Sequence, residues 1–248
     1  MKLSLDVLAF GAHPDDIEIS CGGTIASLTQ KGKKVGIIDL TKGEMGTRGS
    51  SEIRKSEAEE AARILGVSVR ENLGLPDTLL QNTREYQLPV ITILRKYRPQ
   101  ICLINAPFDR HPDHGNASQL LVDCLFLSGL QKIDTLEEDG SPQIPWRPSF
   151  VFHYMQDRTF TPDLLIDITD TLDTKEKALK AFKTQLNVQD PGDEPETYIS
   201  GVSFFEGLRA RARFYGHMAG VDFAEPFKAH HPIILSDLSV FQDIKVRR

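Results

Sequence analysis

Apolar residues in this chain gather into short runs bounded by polar and turn-forming residues. The runs over 6–11, 35–40, 101–106, 150–154 and 164–168 read as strands, and the first three are separated by segments of helical character. That is a βαβ rhythm, from which parallel strands follow. The segment 22–30 is expected to be the first crossover helix. The stretch 51–65 opens with Ser51, is rich in Glu, Ala, Arg and Leu, and ends at Gly66, the signature of a capped helix. Further helices are predicted over 86–97, stopping before Pro99, from just after Pro112, and over 175–185 and 204–218. The stretches 134–148 and 187–196 are rich in Pro, Gly, Asp and Glu; both read as loops with no local reason to be rigid, the second a candidate lid. No internal repeat or low-complexity tract interrupts the pattern.

A chain of 248 residues, 40% of them hydrophobic, can bury a sizeable core, and residues 1–248 are read as one α/β domain. The net charge of −6, from 29 basic against 35 acidic residues spread along the chain, lacks the basic patch of a nucleic-acid binder. No apolar segment approaches the roughly 20 residues needed to span a bilayer. The N-terminus enters a strand pattern without a signal-like segment, so a soluble cytoplasmic chain with no membrane partner is expected. Cys21, Cys102 and Cys124 have unrelated spacings and imply no disulfide framework.

Polar chemistry concentrates at the ends of two apolar runs. Ala12-His13-Pro14-Asp15-Asp16-Ile17-Glu18 follows the first, and His111-Pro112-Asp113-His114 follows the third. Collecting imidazoles and carboxylates at the tips of buried strands costs too much solvation to serve packing, but suits a hard or borderline cation such as Zn²⁺, with Fe²⁺ able to use the same ligands. His13, Asp16 and His114 can supply two imidazoles and one carboxylate. His13 and Asp16, three apart at a strand-to-helix junction, can face one ion, leaving Asp15 on the open side as general base. His111 is then a candidate general acid or charge stabiliser, with Asp113 placed to fix a tautomer.

Each motif alone has a plainer reading as a solvated turn. Their coincidence at strand ends, where open parallel sheets place their sites, favours the metal. A nucleotide-binding reading lacks the Gly-x-Gly-x-x-Gly fingerprint after the first strand, and Gly32-Lys33-Lys34 is no P-loop. Arg54 and Arg110 can grip a carboxylate bidentately, although Arg54 on an acidic helix is by default a solvated partner of Glu52 or Glu57. Arg48 is read as solvated, whereas Arg110 adjoins His111 and is kept as a substrate contact. His153 is read as a core or rim histidine, and His217, His230 and His231 are not assigned to the metal.

These motifs, with Thr41-Lys42-Gly43-Glu44, the 206–213 stretch Glu-Gly-Leu-Arg-Ala-Arg-Ala-Arg and the 220–227 stretch Gly-Val-Asp-Phe-Ala-Glu-Pro-Phe, resemble the LmbE-like, or PIG-L, zinc-dependent N-deacetylases. The resemblance is strongest to the deacetylases of bacillithiol biosynthesis, which act on N-acetylglucosaminyl malate. It implies a Rossmann-like, mostly parallel sheet flanked by helices, zinc on His13, Asp16 and His114, base catalysis by Asp15, and stabilisation or protonation by His111. It also implies a small amino-sugar substrate met by Glu44, Arg54 and Arg110, and a homo-oligomer such as a hexamer. Some relatives carry a tyrosine just before the second histidine motif to hold the oxyanion, where this chain has Phe108-Asp109-Arg110. Rival substrates are other N-acetylglucosaminides, chitin fragments included, and thiol conjugates. A non-catalytic metal- or sugar-binding protein of the same fold is the alternative of a different class, and the presence of Asp15 speaks against it.

Overall fold

The computed structural model describes residues 3–186 and 195–241. Of the expected lid over 187–196, all but the last two residues lie outside the described residues. The elements run β1 (Val7–Gly11), α1 (Asp16–Gln30), β2 (Val35–Thr41), α2 (Ser51–Leu65), β3 (Val69–Leu75), α3 (Arg84–Tyr97), β4 (Ile101–Ile104) and α4 (Pro112–Leu127). They continue with β5 (Phe150–Tyr154), β6 (Leu164–Asp167), α5 (Leu172–Leu179), α6 (Val202–Ala219) and β7 (Ala224–Ala229). One seven-stranded sheet holds them in the order β3-β2-β1-β4-β5-β7-β6. The pairs from β3 to β5 are parallel, whereas β7 lies antiparallel between β5 and β6.

The apolar runs are unbroken because the central strands are covered on both faces, and their side chains alternate between the two. Leu8, Phe10, Ile38, Leu40, Cys102 and Ile104 join the core with α3 and α4; Val7, Ala9, Val35, Ile37 and Leu103 join that with α1, α2 and α5. No helix among the described residues is long and apolar enough to cross a membrane. The chain winds outward from β1 to β3, then returns to place β4 on the other side of β1. The carboxyl ends of β1 and β4 therefore flank a reversal of strand order, where a crevice opens in this topology. Both histidine motifs follow these two strands.

Two strands were not legible in the apolar pattern. β3, Val-Arg-Glu-Asn-Leu-Gly-Leu, is a half-exposed edge strand, and β7, Ala-Glu-Pro-Phe-Lys-Ala, carries a buried glutamate and a proline. Boundaries also moved. The first helix begins at Asp16 rather than residue 22, with a kink at Cys21, and α5 is Leu172–Leu179 rather than 175–185. At the kink Glu225 accepts from Gly23 N (3.0 Å), Thr24 N (2.7 Å) and Thr24 Oγ1 (2.6 Å), and pairs with Lys175 (2.5 Å). This internal carboxylate takes the helix-terminal N–H groups that a bound phosphate would otherwise use. Gly23 is required there because a Cβ would meet Ile168 at 2.8 Å.

The 134–148 stretch is irregular as expected, yet it is anchored. Arg95, buried on α3, donates to the carbonyls of Ser128, Leu130 and Ile133 and to Thr135 Oγ1, while Gln143 donates to Thr92 O and Trp146 to Pro99 O.

Candidate active site

The turn after β1 is tight. A Cβ on Gly11 would meet His13 O at 3.0 Å, and Asp15 adopts φ 119°, a region rarely occupied by residues other than glycine. Strain of this kind costs on the order of 1–3 kcal/mol and is found where surroundings over-determine a functional geometry. Here the turn starts α1 at once and points two adjacent carboxylates, Asp15 and Asp16, into a cavity of about 550 Å³.

At the cavity floor His13, Asp16 and His114 meet. His114 Nε2 lies 3.2 Å from Asp16 Oδ1, His13 Nδ1 lies 3.9 Å from Asp16 Oδ2, and the ring nitrogens of His13, His111 and His114 gather within 4.8 Å. The far nitrogen of each ligand candidate is backed by carboxylate: His13 Nε2 by Asp77 (3.0 Å) and Asp113 (3.5 Å), His114 Nδ1 by Asp109 (2.5 Å). Imidazoles held from behind by carboxylates, with their near nitrogens turned to a third carboxylate, fit a divalent cation.

The electrostatics agree. Burial opposes charging His13, but Asp113, Asp77 and Asp16 outweigh it and carry its pKa up to about 10 in the metal-free chain. His114 rises to about 9 against burial, through Asp16 and Asp109. Asp16 is held well below the carboxylate range despite burial, chiefly by His114 and His13. Asp15 goes the other way: burial lifts it to about 7, with Arg54 opposing. Its Oδ2 is buried without a hydrogen-bond partner, and the Arg54 guanidinium is 3.9 Å away. A desolvated carboxylate with one oxygen free of hydrogen bonds, next to a metal cradle, is placed to take a proton. His111 is pushed down by burial and by the other two imidazoles, and its Nδ1 accepts from Asp113 N (3.2 Å). The neutral ring therefore carries its proton on Nε2.

The rim is looser. Arg110 donates to Asp157 (3.0 Å) and lies 4.0 Å from the Tyr198 ring centre, while the Tyr198 hydroxyl donates to Asp157 (2.7 Å). Met45, Ile199, Phe204 and Leu208 add apolar surface, and Arg211 on α6 reaches the wall with one N–H on the Gln156 carbonyl.

Comparison with known proteins settles the family. A model of the GlcNAc-PI de-N-acetylase family, PIG-L, matches residues 8–125. The diacetylchitobiose deacetylase of Thermococcus kodakarensis is 32% identical over 229 residues, 88% of this chain and 80% of that protein. The chain belongs to the PIG-L family. Among solved structures, the conserved protein TT1542 of Thermus thermophilus superposes with a TM-score of 0.82 at 38% identity, covering 93% of this chain and 97% of that one. The N,N'-diacetylchitobiose deacetylase of Pyrococcus horikoshii does so with a TM-score of 0.76 at 31% identity, covering 90% and 82%. The fold is thus that of the LmbE-like deacetylases, and the chain is an enzyme of a deacetylase family.

This PIG-L chain brings His13, Asp15, Asp16, His111, Asp113 and His114 to one floor, but distributes the other expected groups differently. The Asp113 carboxylate lies against His13 and accepts from Thr78 N (2.7 Å), so His111 meets this residue through its backbone N–H. Arg54 turns inward from α2: it donates to Gly43 O (2.7 Å) and to Gln185, and faces Asp15 rather than Glu52 or Glu57. Glu44 braces the neighbouring turn, accepting from Asp77 N (2.9 Å) and Lys42 N (3.2 Å). Arg48, expected to be solvated, is buried and donates to the carbonyls of Thr184 (2.9 Å) and Pro195 (2.9 Å). Cys21, Cys102 and Cys124 are buried and free. His153 is buried, 2.8 Å from Asn105 O. Asp77, Asp109, Asn105, Gln156 and Arg211 had not been singled out. Asp77 follows the unrecognised β3; Asp109 sits five residues before His114, a spacing that offered the one local signal.

Proposed function

We propose that this chain is a metal-dependent hydrolase that removes acetyl from the 2-amino group of an N-acetylglucosamine derivative, zinc being the ion its donor set suits. The observation that carries this reading is the buried, unpartnered Asp15 oxygen beside the converging His13, Asp16 and His114. A divalent cation held by those three would polarise the acetyl carbonyl and increase the acidity of water. Asp15 takes the proton of the attacking water, and burial brings its pKa near neutrality, so it can return that proton to the leaving amine. His111 lines the same cavity, and its Nε2–H would serve as the donor to the oxygen on which negative charge develops. The Arg54 charge, 3.9 Å from Asp15, moderates its basicity.

For the aglycone, a neutral N-acetylglucosaminide such as diacetylchitobiose is the better fit. The cavity of about 550 Å³ is of a size that takes drug-sized ligands. Arg54, though it lines the cavity, is already engaged by Gly43 O, Gln185 and Asp15, and the Arg110 charge is answered by Asp157. The relatives reported above point the same way. N-acetylglucosaminyl malate is the second reading, favoured by Arg211, whose guanidinium on the cavity wall is met by a backbone carbonyl rather than a carboxylate. Release of free amine from diacetylchitobiose, N-acetylglucosaminyl malate and N-acetylglucosamine decides between them. The highest kcat/KM is expected on diacetylchitobiose; preference for the malate conjugate by tenfold or more would install the second reading, and no amine from any of them would remove the amino-sugar assignment.

A further inference from the structure

Two carboxamides outside the motifs close around Asp16. Asn105 follows β4 and Gln156 follows β5, and both are buried. Asp16 Oδ2 accepts from His13 N (3.1 Å) and from Asn105 Nδ2 (3.2 Å), which uses both lone-pair directions of that oxygen. Asp16 Oδ1 accepts from Gln156 Nε2 (3.0 Å), and its remaining direction faces His114 Nε2 at 3.2 Å. Asn105 Nδ2 also donates to Gln156 Oε1 (3.0 Å), so the amides fix one another. Each is anchored from behind: the Gln156 carbonyl by Arg211 of α6, the Asn105 carbonyl by His153 Nδ1 at 2.8 Å.

We infer that Asn105 and Gln156 are positioning residues that force Asp16 to offer a cation Oδ1 alone, as a single-oxygen ligand. The inference rests on the metal-site reading proposed above and goes beyond its ligand set. Packing does not explain Asn105, because its Oδ1 is buried with no hydrogen-bond partner, a destabilising arrangement that an apolar side chain would avoid. Donors aimed at three of the four lone-pair directions of a ligating carboxylate do explain both amides. Such outer hydrogen bonds typically govern metal affinity by ten- to about a hundredfold.

The test uses the full-length chain stripped of metal with a chelator, and measures zinc binding by competition with a chromophoric chelator. Gln156→Met keeps the length of the side chain and removes its donor; Asn105→Leu does the same for the deeper amide. Zinc Kd is expected to rise about tenfold or more in each. A folded Gln156→Met protein that binds zinc as tightly as wild type overturns the inference, and this variant decides alone if Asn105→Leu does not fold. Failure of the wild type to bind zinc is a different result: it removes the metal-site reading, and the inference falls with it.

Discussion

At the floor of the cavity most functional side chains have partners from several elements, whereas at the rim Arg110, Asp157 and Tyr198 lean on one another. His13 touches Asp16, Asp77 and Asp113, which follow or begin elements at three strand ends, and Asp16 is met by groups following β1, β4 and β5. The Arg110–Asp157 pair is partly exposed, 46% and 25% for the two side chains, where ion pairs are worth about 1 kcal/mol or less. Floor groups thus cannot relax when a neighbour is removed, and rim groups can. Under the proposed function this difference is a division of labour: the chemistry falls to the over-determined floor, and the choice of aglycone to a rim whose contacts are individually weak.

The sharpest break of that contrast comes from the ligands. His114→Ala and Asp16→Ala are each expected to lose bound metal and all measurable turnover, because two remaining ligands leave an incomplete shell; elemental analysis of the purified variants checks this. Next is Asp15→Asn, in which an amide keeps the shape but cannot accept a proton. Metal should stay stoichiometric while kcat falls by a factor on the order of 10² or more, measured as amine released per mole of metal-loaded protein.

A pH series sharpens the comparison without mutation. His13 and His114 have pKa values of about 10 and 9 in the metal-free chain, raised above the 6.5 of an unfolded histidine. Their contribution to stability is therefore complete below pH about 6.5 and is lost as pH rises through 9 to 10. The metal-free protein should melt at progressively lower temperature across that window. Zinc affinity should climb over the same interval, since protons no longer compete for the imidazoles. Calorimetry with and without zinc tests both. The smallest effect belongs to the rim: Arg110→Lys is expected to change kcat/KM on diacetylchitobiose by no more than about fivefold, as for an exposed pair. A larger loss confined to N-acetylglucosaminyl malate would move the aglycone assignment to the charged substrate.

How far the sequence disclosed this molecule follows the same divide. The central parallel strands β1, β2, β4 and β5 were readable because burial between layers favours unbroken apolar runs, and the floor was readable because imidazoles and carboxylates stood at the ends of two of them. β3 and β7 escaped because an edge strand bearing Arg70 and Glu71, and a strand bearing Glu225 and Pro226, break the apolar pattern. Asp77 was lost with β3. Asn105, Gln156 and Arg211 escaped for another reason: their significance lies in contacts of 89, 140 and 55 residues' separation, which no local spacing reveals. Arg48 and Arg54 look solvated on polar segments, and only the packing of residues 184–185 and 195 against them shows them buried.

The central claim, that this floor is a metal-dependent deacetylase centre, is tested most directly by titrating zinc into the chelator-stripped chain while following amine release from diacetylchitobiose. Activity should be absent at the start, rise in proportion to added zinc and level off at about one ion per chain. Amine release that is undiminished in the stripped protein, or that stays absent at full zinc occupancy, would contradict it.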